Sequence, residues 1–185
     1  MMSAMTLPEN TSTAAPVTPV TPANRREPPL VSEERRMLEA WLDYHRETLA
    51  MKCEGLTEAQ VREASTPPSS LSLLGLVRHM TDVERTWFRR VLGGADAPPL
   101  YWTDQDPDGD FNLTEADFAT DIATWRAEIE VAREVAAGHT LDDTGERRGE
   151  LYSLRWIYVH MIEEYARHNG HADLIRERID GATGE

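Results

Sequence analysis

The chain has a single cysteine, Cys53, among its 185 residues. An intramolecular disulfide is therefore excluded, and this usage fits a reducing compartment. Basic residues are also scarce: 19 Lys and Arg stand against 33 Asp and Glu, a formal net charge of −14. That deficit argues against nucleic acid and anionic membranes as partners, because both require basic surfaces. No apolar run approaches the ~20 residues that a membrane-spanning helix needs. Met1–Pro29 lacks the basic start and apolar core of a secretory signal. A cytoplasmic protein is expected. Neither a glycine-rich phosphate loop nor a G-x-S-x-G motif occurs. Cys53 has no partner cysteine and falls on a helix face, which disfavours a nucleophilic role. No alternating strand pattern is present, so the expected fold is all-α.

What is present is an ordinary globular mixture, 40% hydrophobic and 28% charged. Residues 1–30 stand apart. The stretch TLPENTSTAAPVTPVTPANRREPP is rich in Thr, Pro and Ala, and its prolines forbid a helix. It reads as a disordered tail. Residues 31–181 read as one domain of four long amphipathic helices. The first starts at Ser32 as N-cap and ends near Gly55, with Leu38, Trp41, Leu42, His45 and Leu49 inward. LTEAQVREAS adds a short helical piece before Pro67–Pro68. The second long helix starts at Ser70–Ser72, carries Leu73, Leu76, Val77, Met80, Val83, Trp87 and Val91, and stops at Gly93–Gly94. A connection, Ala95–Thr114, has no regular period. The third helix runs from Thr114, its cap, through Phe118, Ile122, Trp125 and Ile129. A polar loop, Gly138–Gly149, leads to the fourth. This is the pattern of a four-helix bundle with long interhelical connections. Trp41, Trp87, Trp125 and Trp156 are expected in the core, and Tyr101 and Trp102 over a pocket mouth.

The chemistry concentrates in HMIEEYARHNGHADLIRER, residues 160–178. Glu164, His168 and His171 lie on the edge of the apolar stripe formed by Leu154, Ile157, Met161, Tyr165, Ala172 and Ile175. A carboxylate and two imidazoles there are costly to bury unless paired or bound, and a metal ion is one partner that would suit them. His79, in line with Leu76 and Val83, is the best candidate to face them. His45 reads as a core histidine, His160 as a capping or packing residue, and His139 as a loop residue. A second motif, DQDPDGDFNLTE over Asp104–Glu115, has the spacing of an EF-hand calcium loop, but no helical pattern precedes it. It is expected to be an acidic connection.

SLLGLVRHMTDVERTWF followed by LRWIYVHMIEEYARHNGHADLIRERIDG resembles the DinB/YfiT-like superfamily of metal-binding four-helix bundles, over Val31–Gly181. The closer likeness is to a mostly actinobacterial branch of unassigned function. The resemblance implies one divalent metal, zinc or nickel, held by three side chains. It maps the second-helix ligand onto His79 and the last ligand onto His168. The earlier member of the last-helix pair falls on Glu164, so that pair reads E-x-x-x-H, a departure from the H-x-x-x-H of relatives. His171 is an alternative or additional ligand. Asp82, Glu84 or Glu163 could orient an imidazole. By resemblance the function would be a transferase or isomerase that uses a low-molecular-weight thiol such as mycothiol or bacillithiol. Alternatives are a metal-dependent hydrolase and a non-catalytic, metal-stabilised binding protein, and a homodimer is possible. Arg78, Arg85 and Arg167 are the basic residues nearest the motif.

Overall fold

The computed structural model describes residues 24–183. The tail expected over residues 1–30 therefore lies mostly outside the described residues. Its last part is laid along the first helix. The Asn24 N–H donates to Glu47 Oε2 at 2.9 Å, and the Arg25 guanidinium lies 4.8 Å from the Tyr44 ring centre.

Helix α1 spans Glu34–Cys53. Its N-cap is Glu33 rather than Ser32, since the Glu33 carboxylate accepts from the Arg35 and Arg36 N–H groups. A short α2, Glu58–Val61, is held by a reciprocal Thr57–Gln60 capping box. Helix α3, Leu73–Glu84, is capped by Ser72. It continues without a break as eight π-helical residues, Arg85–Leu92, and the Gly93 N–H closes that stretch on the Phe88 carbonyl. Helix α4 spans Phe118–Ala137. Its cap is Asp117, which receives the Thr120 N–H at 2.8 Å, so the helix starts later than Thr114. Helix α5, Leu154–Asp180, is capped by Ser153 and ends at Gly181 in the left-handed conformation.

One element departs from the all-helical expectation. The polar loop after α4 contains an antiparallel hairpin, β1 Thr144–Arg147 and β2 Glu150–Ser153, with Arg147 opposite Glu150. The strands have four residues each and are largely exposed. They lack the apolar alternation that reveals a strand in sequence. Arg148 and Gly149 both take positive φ, 55° and 84°, at the turn, as a tight two-residue hairpin requires.

The long helices pack as their stripes require: α1 runs against α5, and α3 against both α4 and α5. Leu42, Leu49, Leu73, Leu76, Met80 and Trp125 are fully enclosed. Each such side chain contributes about 1.5–3 kcal/mol of hydrophobic stabilisation. Trp87 and Trp125 are core residues as expected. Trp41 and Trp156 are not: they are 41% and 42% exposed, at the outer margins of their stripes.

A polar chain crosses the core and takes one residue from each long helix. Arg46 of α1 donates twice to Glu84 of α3, 2.7 Å each. The Tyr165 hydroxyl of α5 donates to the same carboxylate at 2.8 Å, and Trp125 Nε1 of α4 donates to the Tyr165 oxygen at 2.9 Å. Burial works against the Arg46 charge, but the Glu84 carboxylate outweighs it and raises the guanidinium pKa.

Candidate metal centre

His79 leaves α3 one turn after Leu76 and turns toward α5. Its Nδ1 lies 2.6 Å from Asp110 Oδ2. Asp110 is buried in a single helical turn, Gly109–Phe111, within the long connection, and its other oxygen accepts the Phe111 N–H. The Phe111 ring stacks on His79.

Helix α5 places Glu164 and His168 one turn apart on the facing side. His168 Nε2 lies 3.5 Å from Glu164 Oε2, and the His168 ring centre is 4.7 Å from that of His79. One ligand-type atom from each of His79, Glu164 and His168 falls within 4.8 Å of the others. Burial, and then the neighbouring His79 and His171, push the His168 pKa down to about 4. Its ring is neutral near pH 7, with a lone pair to give. His171 stands on the other edge of His168, with their Nδ1 atoms 3.4 Å apart, and is outside that group.

Glu164 belongs to a second group of the same kind, with His160 and Glu163. His160 Nε2 is 3.6 Å from Glu164 Oε1. The ring is also packed, stacked on Trp156 and edge-on to Trp87. Burial lowers the His160 pKa.

The connection between α3 and α4 is fastened to one turn of α3. The Asp82 carboxylate accepts the Leu100 and Tyr101 N–H groups at 2.7 and 3.0 Å. Burial raises its pKa, and those N–H groups offset only part of the rise. Arg78 reaches the Gly109 carbonyl at 3.2 Å and Asp121 at 3.5 Å. Tyr101 also donates to Asp121, at 2.9 Å. The anchoring holds Asp110 against His79.

The partner of His79 is thus a residue that the helical pattern did not single out. Of the candidates to orient an imidazole, Asp82 holds the connection, Glu84 is taken by Arg46 and Tyr165, and Glu163 pairs with Arg167. The clue lay inside the acidic motif. Asp104, Asp106 and Asp108 are exposed, and among the described residues they enter no metal-type group. Asp110 alone turns inward. Arg78, Arg85 and Arg167 pair with Asp121, Glu128 and Glu163 respectively.

A cavity of about 460 Å³ opens beside the donor group. His79, Asp110 and Glu164 line it, with Trp87, Trp102 and His160. Trp102 borders it as expected, whereas Tyr101 bonds Asp121 instead. A larger cavity, about 720 Å³, lies between residues 24–29, α1 and α4, and among the described residues carries no such donor group.

A helical domain with a two-histidine, one-glutamate donor set beside an open cavity is the class these observations define. The chain belongs to the mycothiol-S-transferase family, whose model matches residues 37–181. Comparison with curated proteins gives no match.

Proposed function

We propose that this chain is a divalent-metal-dependent transferase of a low-molecular-weight thiol, on a four-helix bundle made by α1, α3, α4 and α5. Mycothiol is the thiol that the family's name suggests. The observation that carries the reading is the convergence of His79, Glu164 and His168, two of which, His79 and Glu164, line the cavity.

The donor set fits such an ion. Two imidazoles and one carboxylate suit zinc or nickel. With Nδ1 bonded to Asp110, His79 keeps Nε2 for a cation, the carboxylate–histidine arrangement typical of metal sites. His168 directs Nε2 at Glu164, whose carboxylate stands beside the two rings. Among the described residues no fourth donor joins the group. That openness favours catalysis over a purely structural ion, which would be saturated by the protein. A bound divalent ion would supply the Lewis acidity that lowers a thiol's pKa. The chain's own residues do the rest. Asp110 fixes the His79 tautomer and ring orientation, while Trp87 and Trp102 wall the cavity and limit water around the reacting sulfur.

Elemental analysis of untagged protein beside His79→Ala and His168→Ala tests the reading. About one zinc or nickel per chain, lost in both variants together with mycothiol consumption, is the expected result. Full metal in either variant, or none after reconstitution, would overturn it.

A further inference from the structure

Arg147 has no task in the mechanism above. It sits half-buried on β1, its guanidinium carbon 4.9 Å from the Trp87 ring centre. Among the described residues its side chain has no carboxylate partner and no hydrogen-bond acceptor, although the chain has 33 acidic residues against 19 basic ones. Two neighbours share the condition. Arg90, at the end of the π-helical stretch, and Arg148, at the hairpin turn, also make no ion pair among the described residues.

The three arginines converge. Arg147 lines the cavity beside the donor group and also an adjoining one of about 360 Å³, where Arg90 and Arg148 join it. Two carboxylates, Asp96 and Glu146, border the outer cavity without pairing with any of the three. Burial lowers the Arg147 pKa, and Arg148 and Arg90 add to that. A half-buried cation with two cations beside it is costly unless something neutralises it, and the carboxylates that share its inner cavity, Asp82, Asp110 and Glu164, form no ion pair with it. The Trp87 face offsets part of that cost. Arg148 holds its place in a backbone conformation unusual for a residue with a side chain, φ 55°.

We propose that Arg147, with Arg90 and Arg148 behind it, binds the carboxylate or phosphate of a substrate whose planar apolar body lies against Trp87 and Trp102. This inference rests on the transferase reading for its place in the reaction and names the class of molecule that would be paired with the thiol. The aromatic walls take the body, and the guanidinium takes two oxyanion oxygens in a forked contact.

The test is binding to the full metal-loaded chain of three matched probes: benzoate, phenyl phosphate and the neutral benzamide. Tryptophan fluorescence or ligand line-broadening reads it. Saturable binding of at least one anion is expected, with benzamide markedly weaker. Arg147→Met should weaken the anion about tenfold or more, and Arg147→Lys less, since a lysine keeps charge without the fork. The Arg90→Met/Arg148→Met double variant should weaken it as well and keeps the test open if Arg147→Met fails to fold. The stronger of the two anions identifies carboxylate or phosphate as the group recognised. The chelator-treated chain should bind it about as well as the metal-loaded one. Equal binding of benzamide, no loss in Arg147→Met, or loss on chelation alone would overturn the proposal, the last because the anion would then sit on the metal. Failure of the transferase reading would show instead as absent metal or absent thiol consumption, with Arg147-dependent anion binding intact.

Discussion

At the scale of single residues, the decisive contact is the 2.6 Å bond between His79 and Asp110. It fixes which nitrogen of His79 is free and holds the ring toward α5. Asp110→Asn preserves shape but removes the charge that makes the imidazole a better donor. Loss of such an orienting carboxylate typically costs 10–100-fold in metal affinity. The same fall is expected here, read by competition with a chromogenic chelator, while the exposed Asp106→Asn should leave affinity unchanged. An Asp110→Asn variant that binds as tightly as the parent would show that the ring is positioned by Phe111 and packing alone. Helical spacing set Glu164 and His168 on one face in the sequence, together with His171, and the likeness of the motifs, rather than spacing, joined His79 to them. Asp110 was not legible, because its inward turn depends on how a connection without period folds onto Arg78 and Asp82. The regular Asp spacing before it even pointed elsewhere, toward a calcium loop.

At the scale of elements, the contact of the hairpin with the π-helical end of α3 positions Arg147. Gly145 on β1 is pressed against Val91 so closely that an added Cβ would meet the Val91 carbonyl oxygen at 1.9 Å. The obstacle is helix backbone, which cannot swing aside as a side chain would. Gly145→Ala must therefore lift β1 away from the helix. Overpacking of this kind costs about 1–3 kcal/mol, to be read in urea denaturation. The shift should also weaken the binding of benzoate or phenyl phosphate while metal content stays at the parent's level, since His79, Glu164 and His168 lie on α3 and α5. Unchanged stability would mean that the hairpin is free to float. The long helices were readable because their stripes repeat every three to four residues over five or more turns. The hairpin, with four-residue strands and Gly145 as the one buried position of β1, offers no such repeat.

At the scale of the whole molecule, the Arg46–Glu84–Tyr165–Trp125 chain ties all four long helices to one register, and so sets α3 against α5 where the donor group forms. That packing leaves three histidines, His45, His160 and His168, with pKa values lowered first of all by burial. The consequence for stability has a definite sign. A histidine whose folded pKa lies below its ordinary value is protonated first in the unfolded chain. Its contribution is complete above about pH 6.5 and is lost as pH falls toward the folded value, which for His168 is about 4. Each unit of separation is worth about 1.4 kcal/mol, so His168 alone accounts for up to ~3 kcal/mol near the acid end of that window. Easing of the −14 net charge acts the other way, but carboxylates take up protons mostly below about pH 4.5, so the histidines govern the interval above it. The melting temperature of chelator-treated protein should therefore hold steady from about pH 8 to 7 and fall from about 6.5 to 5, with a shallower fall in His168→Gln. Chelation matters because a bound ion would itself compete with protons for the same nitrogens. A melting temperature that rises on acidification would mean that these rings gain an anionic partner on folding and are held protonated, which is opposite to the neutral state a ligand needs.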